Sequence, residues 1–106
     1  MAQFDVHVNP ARSRATAPFV VVIQSRRFDH YRTRLVAPFI PAAARLEFSE
    51  IAPVFTIAGL RLILHPLQLF TVPIDRLGAV VASLADDSSS ALIVNALDEV
   101  LSRAYG

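Results

Sequence analysis

The chain has 106 residues, 54% of them apolar and 18% charged, which is enough for one domain with one core and too apolar for intrinsic disorder. It contains no cysteine, which excludes disulfides, thiol catalysis and cysteine-based zinc sites, and no apolar run approaches the ~20 residues of a membrane-spanning helix. The net charge of +1 hides an uneven distribution: residues 1–34 carry six arginines against two aspartates, and from Asp75 onward acids outnumber arginines five to two.

A mean hydropathy of +0.47 is high for so short a chain. More apolar surface is present than one core hides, so a symmetric interface, most simply a twofold homodimer, is expected. Residues 1–5 lack the basic start and apolar run of a secretory signal, and a cytoplasmic location is expected.

In chain order, the first three quarters read as short strands. Residues 3–8 alternate Phe4, Val6 and Val8 with Gln3, Asp5 and His7, the pattern of a half-buried strand with His7 facing solvent. Residues 9–18 hold two prolines and two arginines and read as a loop. The β-branched run at 19–23 suits a strand covered on both faces. Residues 31–38 form the next candidate strand, and Pro38 and Pro41, lacking backbone donors, are expected to end its ladder. Residues 53–57, 60–65 and 67–72 follow as three strands, the first two joined by a tight turn at Ala58-Gly59. Pro66 and Pro73 suggest strand ends or edge positions.

The period then changes. Asp75, Leu77, Val80, Val81 and Leu84 suggest a short helix interrupted by Gly78. The run from Asp86 to Ser90 offers several N-caps, and Leu92, Ile93, Ala96, Leu97, Val100, Leu101 and Ala104 trace one apolar stripe on a helix over about 88–104. The fold class is therefore mainly β, antiparallel, in a single domain spanning 1–106, β-rich over 3–74 and closed by a C-terminal α-helix.

Catalytic motifs are missing. His7, His30 and His65 have no metal-ligand spacing, and three glycines cannot build a phosphate loop. Ser25, Asp29 and His30 contain the residue types of a hydrolytic triad, a set that arises by chance in any chain of this length. No catalytic residue, metal or cofactor is assigned. All cations are arginine, whose planar fork pairs carboxylates or phosphates; the Arg-rich first third is either a partner-binding surface or a solvated face.

Taken together, several blocks resemble the CcdB-type toxins of toxin–antitoxin modules. They are Gln3-Phe4-x-Val6, the loop Ala11-Arg12-Ser13-Arg14, residues 19–25 ending in Gln24-Ser25, and Arg34-Leu35-Val36-Ala37-Pro38. The resemblance continues through Pro53-Val54-Phe55-Thr56-Ile57, residues 60–65, Val72-Pro73-Ile74, Gly78 and Asn95-Ala96-Leu97. It implies a homodimer of SH3-like, CcdB/MazF-type β domains that does no chemistry. Such a protein binds the A subunit of DNA gyrase, traps it on cleaved DNA, and is neutralised by a CcdA-like antitoxin. Operator DNA is a partner only through the antitoxin complex, and no membrane is involved.

Residue by residue, the resemblance assigns gyrase binding to Asp98, Ser102, Arg103, Tyr105 and Gly106, with Gln3 and Ser25 nearby, and antitoxin binding to Arg12 and Arg14. The family's closing Trp-Gly-Ile is matched here by Tyr105-Gly106 with no terminal Ile, or by Ser102, Arg103 and Ala104 if the helices are aligned on Asn95-Ala96. Two alternatives remain: a CcdB-fold partner that no longer poisons gyrase, and a MazF-like ribonuclease using Arg32, Arg34 and His30.

Overall fold

The computed structural model describes residues 2–43 and 52–101. Among these residues seven strands form one antiparallel sheet: β1 (Asp5–Val8), β2 (Phe19–Val22), β3 (Thr33–Pro41), β4 (Val54–Ile57), β5 (Leu60–Leu64), β6 (Phe70–Pro73) and β7 (Val80–Ser83). One α-helix among the described residues, α1 (Asp87–Leu101), follows. The spatial order is β4-β5-β3-β2-β1-β7, with β6 also paired to β3, and the sheet curls into a half-barrel. Among the described residues no helix is long and apolar enough to cross a membrane.

The nine-residue β3 organises this sheet. One of its edges pairs β2 from Val36 to Phe39. Its other edge pairs β6 from Thr33 to Val36 and then β5 from Phe39 to Pro41. Pro38, expected to end the strand, does not. Its carbonyl points away from β2 to accept from the His65 amide at 2.9 Å, and its missing N–H faces the same side. That side is where the neighbouring strand changes from β6 to β5, so no ladder bond is lost.

The segment expected as a short helix before residue 84 is instead a 3₁₀ turn (Ile74–Arg76) followed by β7. Strand β7 pairs β1 through Val6–Ala82 and His7–Val80, leaving Val81 as a bulge. The β-rich part therefore extends beyond residue 74. Periodicity misleads here because a bulged edge strand loses strict alternation, and Val80 and Val81 both stay exposed.

Both faces of the sheet are covered. Val6, Val21, Ile23, Ala37, Phe39, Phe55, Ile57, Leu62, Leu64, Leu84 and Ile93 make the larger core, and Phe39 meets Phe55 edge-on at 5.9 Å. Val20, Val22, Val36 and Val72 make a smaller one on the opposite face, as the apolar run of β2 implied. His7, expected in solvent, is 2% exposed. The cause is topological: β1 lies between β2 and β7, and the chain before β7 covers its outer face, where His7 Nδ1 donates to Gly78 O at 2.9 Å.

Asp86 caps the helix, accepting from the Ser89 amide and the Ser88 hydroxyl, each at 3.0 Å. These bonds hold its carboxyl below the ordinary aspartate value. The buried stripe of α1 is narrower than expected. Ile93 and Ala96 are buried and Leu97 and Val100 half-buried, whereas Leu92 and Leu101 stand 48% and 68% exposed. The helix rests on the sheet by one row of side chains, which leaves the flanks of the apolar stripe open.

Candidate functional site

The expected site residues fall on three surfaces. The first is the β1–β2 connection. Asn9 is fully buried there and folds the loop around itself. Its Nδ2 donates to Ala17 O at 2.7 Å and Ser13 Oγ at 3.2 Å, while Oδ1 accepts from the Ala11 amide at 2.9 Å. This presents a 3₁₀ turn (Arg12–Ala15) that contains both Arg12 and Arg14, with Arg12 exposed.

The second surface is the exit of β2. Gln3 Nε2 donates to Ile23 O at 3.2 Å, which brings Gln3 to the stretch that holds Ser25. Phe4 sits at a φ of 69° and ties this corner together: its amide donates to Val22 O and its carbonyl accepts from Leu84 N. Ser25 caps the next 3₁₀ turn (Arg26–Phe28), its hydroxyl accepting from the Arg27 amide.

That turn opens a long β2–β3 loop secured by two side chains. Gln24 donates from Nε2 to Phe28 O and Thr33 O, and its Oε1 accepts from the Leu35 amide. Arg34, 5% exposed, donates to Tyr31 O at 2.7 Å and to Thr33 O and Asp29 O at 3.0 Å. It also faces the Asp29 carboxylate at 3.9 Å. Arg34, a candidate for meeting phosphates, is instead spent on the loop's own carbonyls. The chance triad is not assembled either. Among the described residues no hydrogen bond joins His30 to Ser25 or Asp29, and His30 stacks beside Tyr31 at 4.5 Å.

The third surface is the outer face of α1. Asp98 is exposed there and lines a shallow depression of about 220 Å³ with Val94, Leu97 and Leu101. Phe4 and Leu97 pack on the same core cluster as Ile23, so the β2 exit and the helix border one hydrophobic mass. No hydrogen bond joins Asp98 to Gln3 or Ser25 among the described residues. Ser102, Arg103, Tyr105 and Gly106 lie outside the described residues. Among the described residues no group of three or more His, Asp or Glu side chains is arranged to hold a metal.

Asn9, Gln24 and the structural role of Arg34 escaped sequence reasoning. Gln24, the first polar residue after the all-apolar run 19–23, offered a signal, whereas Asn9 follows the alternating strand β1 with nothing to mark it. Nothing in the spacing of Arg34 distinguishes it from its exposed neighbours.

Comparisons with known proteins agree on the fold. The chain is similar in structure to the toxin MazF-mt6 of Mycobacterium tuberculosis, at 14% identity and a TM-score of 0.70, covering 90% of this chain and 93% of that one. An endoribonuclease from a mycobacterial species aligns at 12% identity and a TM-score of 0.72, over 95% and 90% of the two chains. A mycobacterial endoribonuclease solved with its cognate antitoxin aligns at 11% identity and 0.68, over 95% and 92%. At such identities the likeness is one of fold. No curated protein matches the sequence. The model of the CcdB protein family matches residues 3–102, nearly the whole chain, and the protein therefore belongs to the CcdB family of toxin–antitoxin proteins.

Proposed function

We propose that the protein is the toxin of a type II toxin–antitoxin pair that acts without chemistry of its own, by binding the A subunit of DNA gyrase and holding the enzyme on cleaved DNA. The observation that carries this reading is the family match over residues 3–102, which runs through the outer face of α1. On that face Val94 and Leu101 are 51% and 68% exposed beside Asp98, an apolar patch with one charge and no cover among the described residues. Asp98, Ser102, Arg103, Tyr105 and Gly106 form the contact, with Gln3 and Ser25 at its margin. Binding that favours the cleaved state shifts the enzyme's population toward it.

The antitoxin is placed on the β1–β2 turn, where Arg12 and Arg14 meet its carboxylates. The active form is a homodimer, and its antitoxin complex represses its own operon.

The test combines gyrase from the source organism, supercoiled DNA, ATP and the intact chain, and measures linear DNA after detergent and protease. Linear DNA that disappears with Asp98→Arg, and with a chain ending at Ser102, supports the reading. No linear DNA with the cognate enzyme rejects it. A second reading, an RNA-cleaving toxin, is favoured by the likeness of the fold to two endoribonucleases. Cleavage of RNA by the purified chain, without linear DNA from gyrase, would select it.

A further inference from the structure

The β2–β3 loop carries more apolar and cationic surface than a connector needs. Phe28 and Tyr31 stand 45% and 55% exposed with ring centroids 6.0 Å apart, and His30 stacks on Tyr31 at 4.5 Å. Phe28 and Tyr31 line an open groove of about 520 Å³ together with Ile23, Gln24, Ser25, Thr33 and Leu35. Arg26, Arg27 and Arg32 on the same loop are exposed. The loop's one carboxylate, Asp29, faces Arg34, and among the described residues no carboxylate lies within ion-pair distance of the other three arginines.

Flat, exposed rings beside uncompensated guanidinium groups match one ligand chemistry: unpaired bases on a phosphate chain. Stacking accepts every base because each has a π-face, and arginine pairs phosphates bidentately. An extended acidic peptide would match the charge. It would seek a free strand edge, however, and the backbone here is already paired. Ile23 N–H bonds Leu35 O, Ile74 N–H bonds Arg32 O, and β3 is flanked by β2 and β6. The Gln24 amide is likewise spent on Phe28, Thr33 and Leu35, which leaves the Ser25, Thr33 and Tyr31 hydroxyls as the lining groups that can meet a base edge or a 2′-hydroxyl.

We propose that the β2–β3 loop is a binding platform for single-stranded nucleic acid. Bases stack on Phe28 and Tyr31 while Arg26, Arg27 and Arg32 hold the phosphates, without preference for sequence or sugar. The groove shares Ser25 with the margin of the proposed gyrase contact, but its rings and arginines lie on the β2–β3 loop and not on α1.

The experiment is fluorescence anisotropy of the full-length protein with a labelled thymidine oligonucleotide of about 12 nucleotides, read at several salt concentrations. The expected result is binding with a Kd of roughly 10⁻⁶ to 10⁻⁴ M and a salt slope near −2, from three phosphate contacts at about 0.7 each. Tyr31→Ala and Phe28→Ala each weaken it about tenfold while the circular dichroism melt is unchanged. Arg26→Gln with Arg27→Gln flattens the slope by about 1.4. A duplex of the same length binding as tightly overturns the proposal, as does a Tyr31→Ala variant that binds like the wild type. RNA binding more than about tenfold tighter than DNA overturns its sugar-blind part. Polyglutamate that binds as tightly, with the same dependence on Phe28 and Tyr31, overturns it in favour of a peptide groove.

Discussion

Arg34 offers a direct test of how the β2–β3 loop is held. It is a buried cation whose partners are mainly backbone carbonyls: Tyr31 O at 2.7 Å, and Thr33 O and Asp29 O at 3.0 Å. Hydrogen bonds from a charged donor contribute about 1.5–3 kcal/mol each, so three are worth roughly 6 kcal/mol before the cost of burying the charge. Removing the cation also removes its desolvation penalty, about half of that sum. The Asp29 carboxylate is 43% exposed and 3.9 Å away, and adds less than about 0.5 kcal/mol. Arg34→Met keeps the apolar stem and deletes the fork, and is expected to cost about 3 kcal/mol. Arg34→Lys reaches fewer carbonyls from a single ammonium and is expected to cost about half as much. In urea, with a slope near 1.2 kcal/mol/M for a domain of this size, Arg34→Met lowers the midpoint by about 2.5 M with the slope unchanged. A loss below about 1 kcal/mol in Arg34→Met, or a lysine variant as stable as the wild type, would refute the account of Arg34 as the loop's internal clamp.

Three further outcomes follow from local geometry. Ala58 holds a φ of 52° beside Gly59 at 78°, a two-residue turn that suits Asn-Gly; Ala58→Asn should add about 0.5–1 kcal/mol and raise Tm by about 4 °C in a thermal melt. A Cβ on Gly78 would lie 2.7 Å from both the Val8 Cβ and the Val8 carbonyl oxygen, so Gly78→Ala should cost about 2 kcal/mol or more in urea unfolding. Burial lowers the His65 pKa below its ordinary value of 6.5. The unfolded chain then binds the proton more readily, so this contribution is fully present above pH 6.5 and is lost as pH falls from there through the folded value. Urea midpoints measured across that window should fall on the acid side, and His65→Gln should flatten the fall.

Strands β1 to β6, the turn at Ala58-Gly59 and the capped last helix were readable from local chemistry, because each depends on neighbours within a few residues. What was misread depends on distant partners. Pro38 looks like a terminator until β6 and β5 are known to exchange places beside it. His7 looks exposed until the chain near Gly78 is laid over β1. The residues before Leu84 look helical because a bulge at Val81 breaks the alternation that a strand should show. Asp98 and Arg12 are exposed, while the buried Arg34 shows that an arginine's charge says nothing about which way it faces.

The pairing of β1 with β7 also governs when the molecule comes into being. Val6 lies opposite Ala82, the Phe4 carbonyl accepts from the Leu84 amide at 2.8 Å, and Ile93 plugs the larger core from the helix. The first strand therefore waits for β7 and α1 before its outer edge and inner face are satisfied. A growing chain that has reached residue 74 holds the residues of β1 to β6 but leaves an open flank along β1. Translation of residues 75–101 takes roughly one to five seconds at ordinary elongation rates. Folding finishes only after that interval, so a product cut short before α1 lacks Ile93 from its larger core.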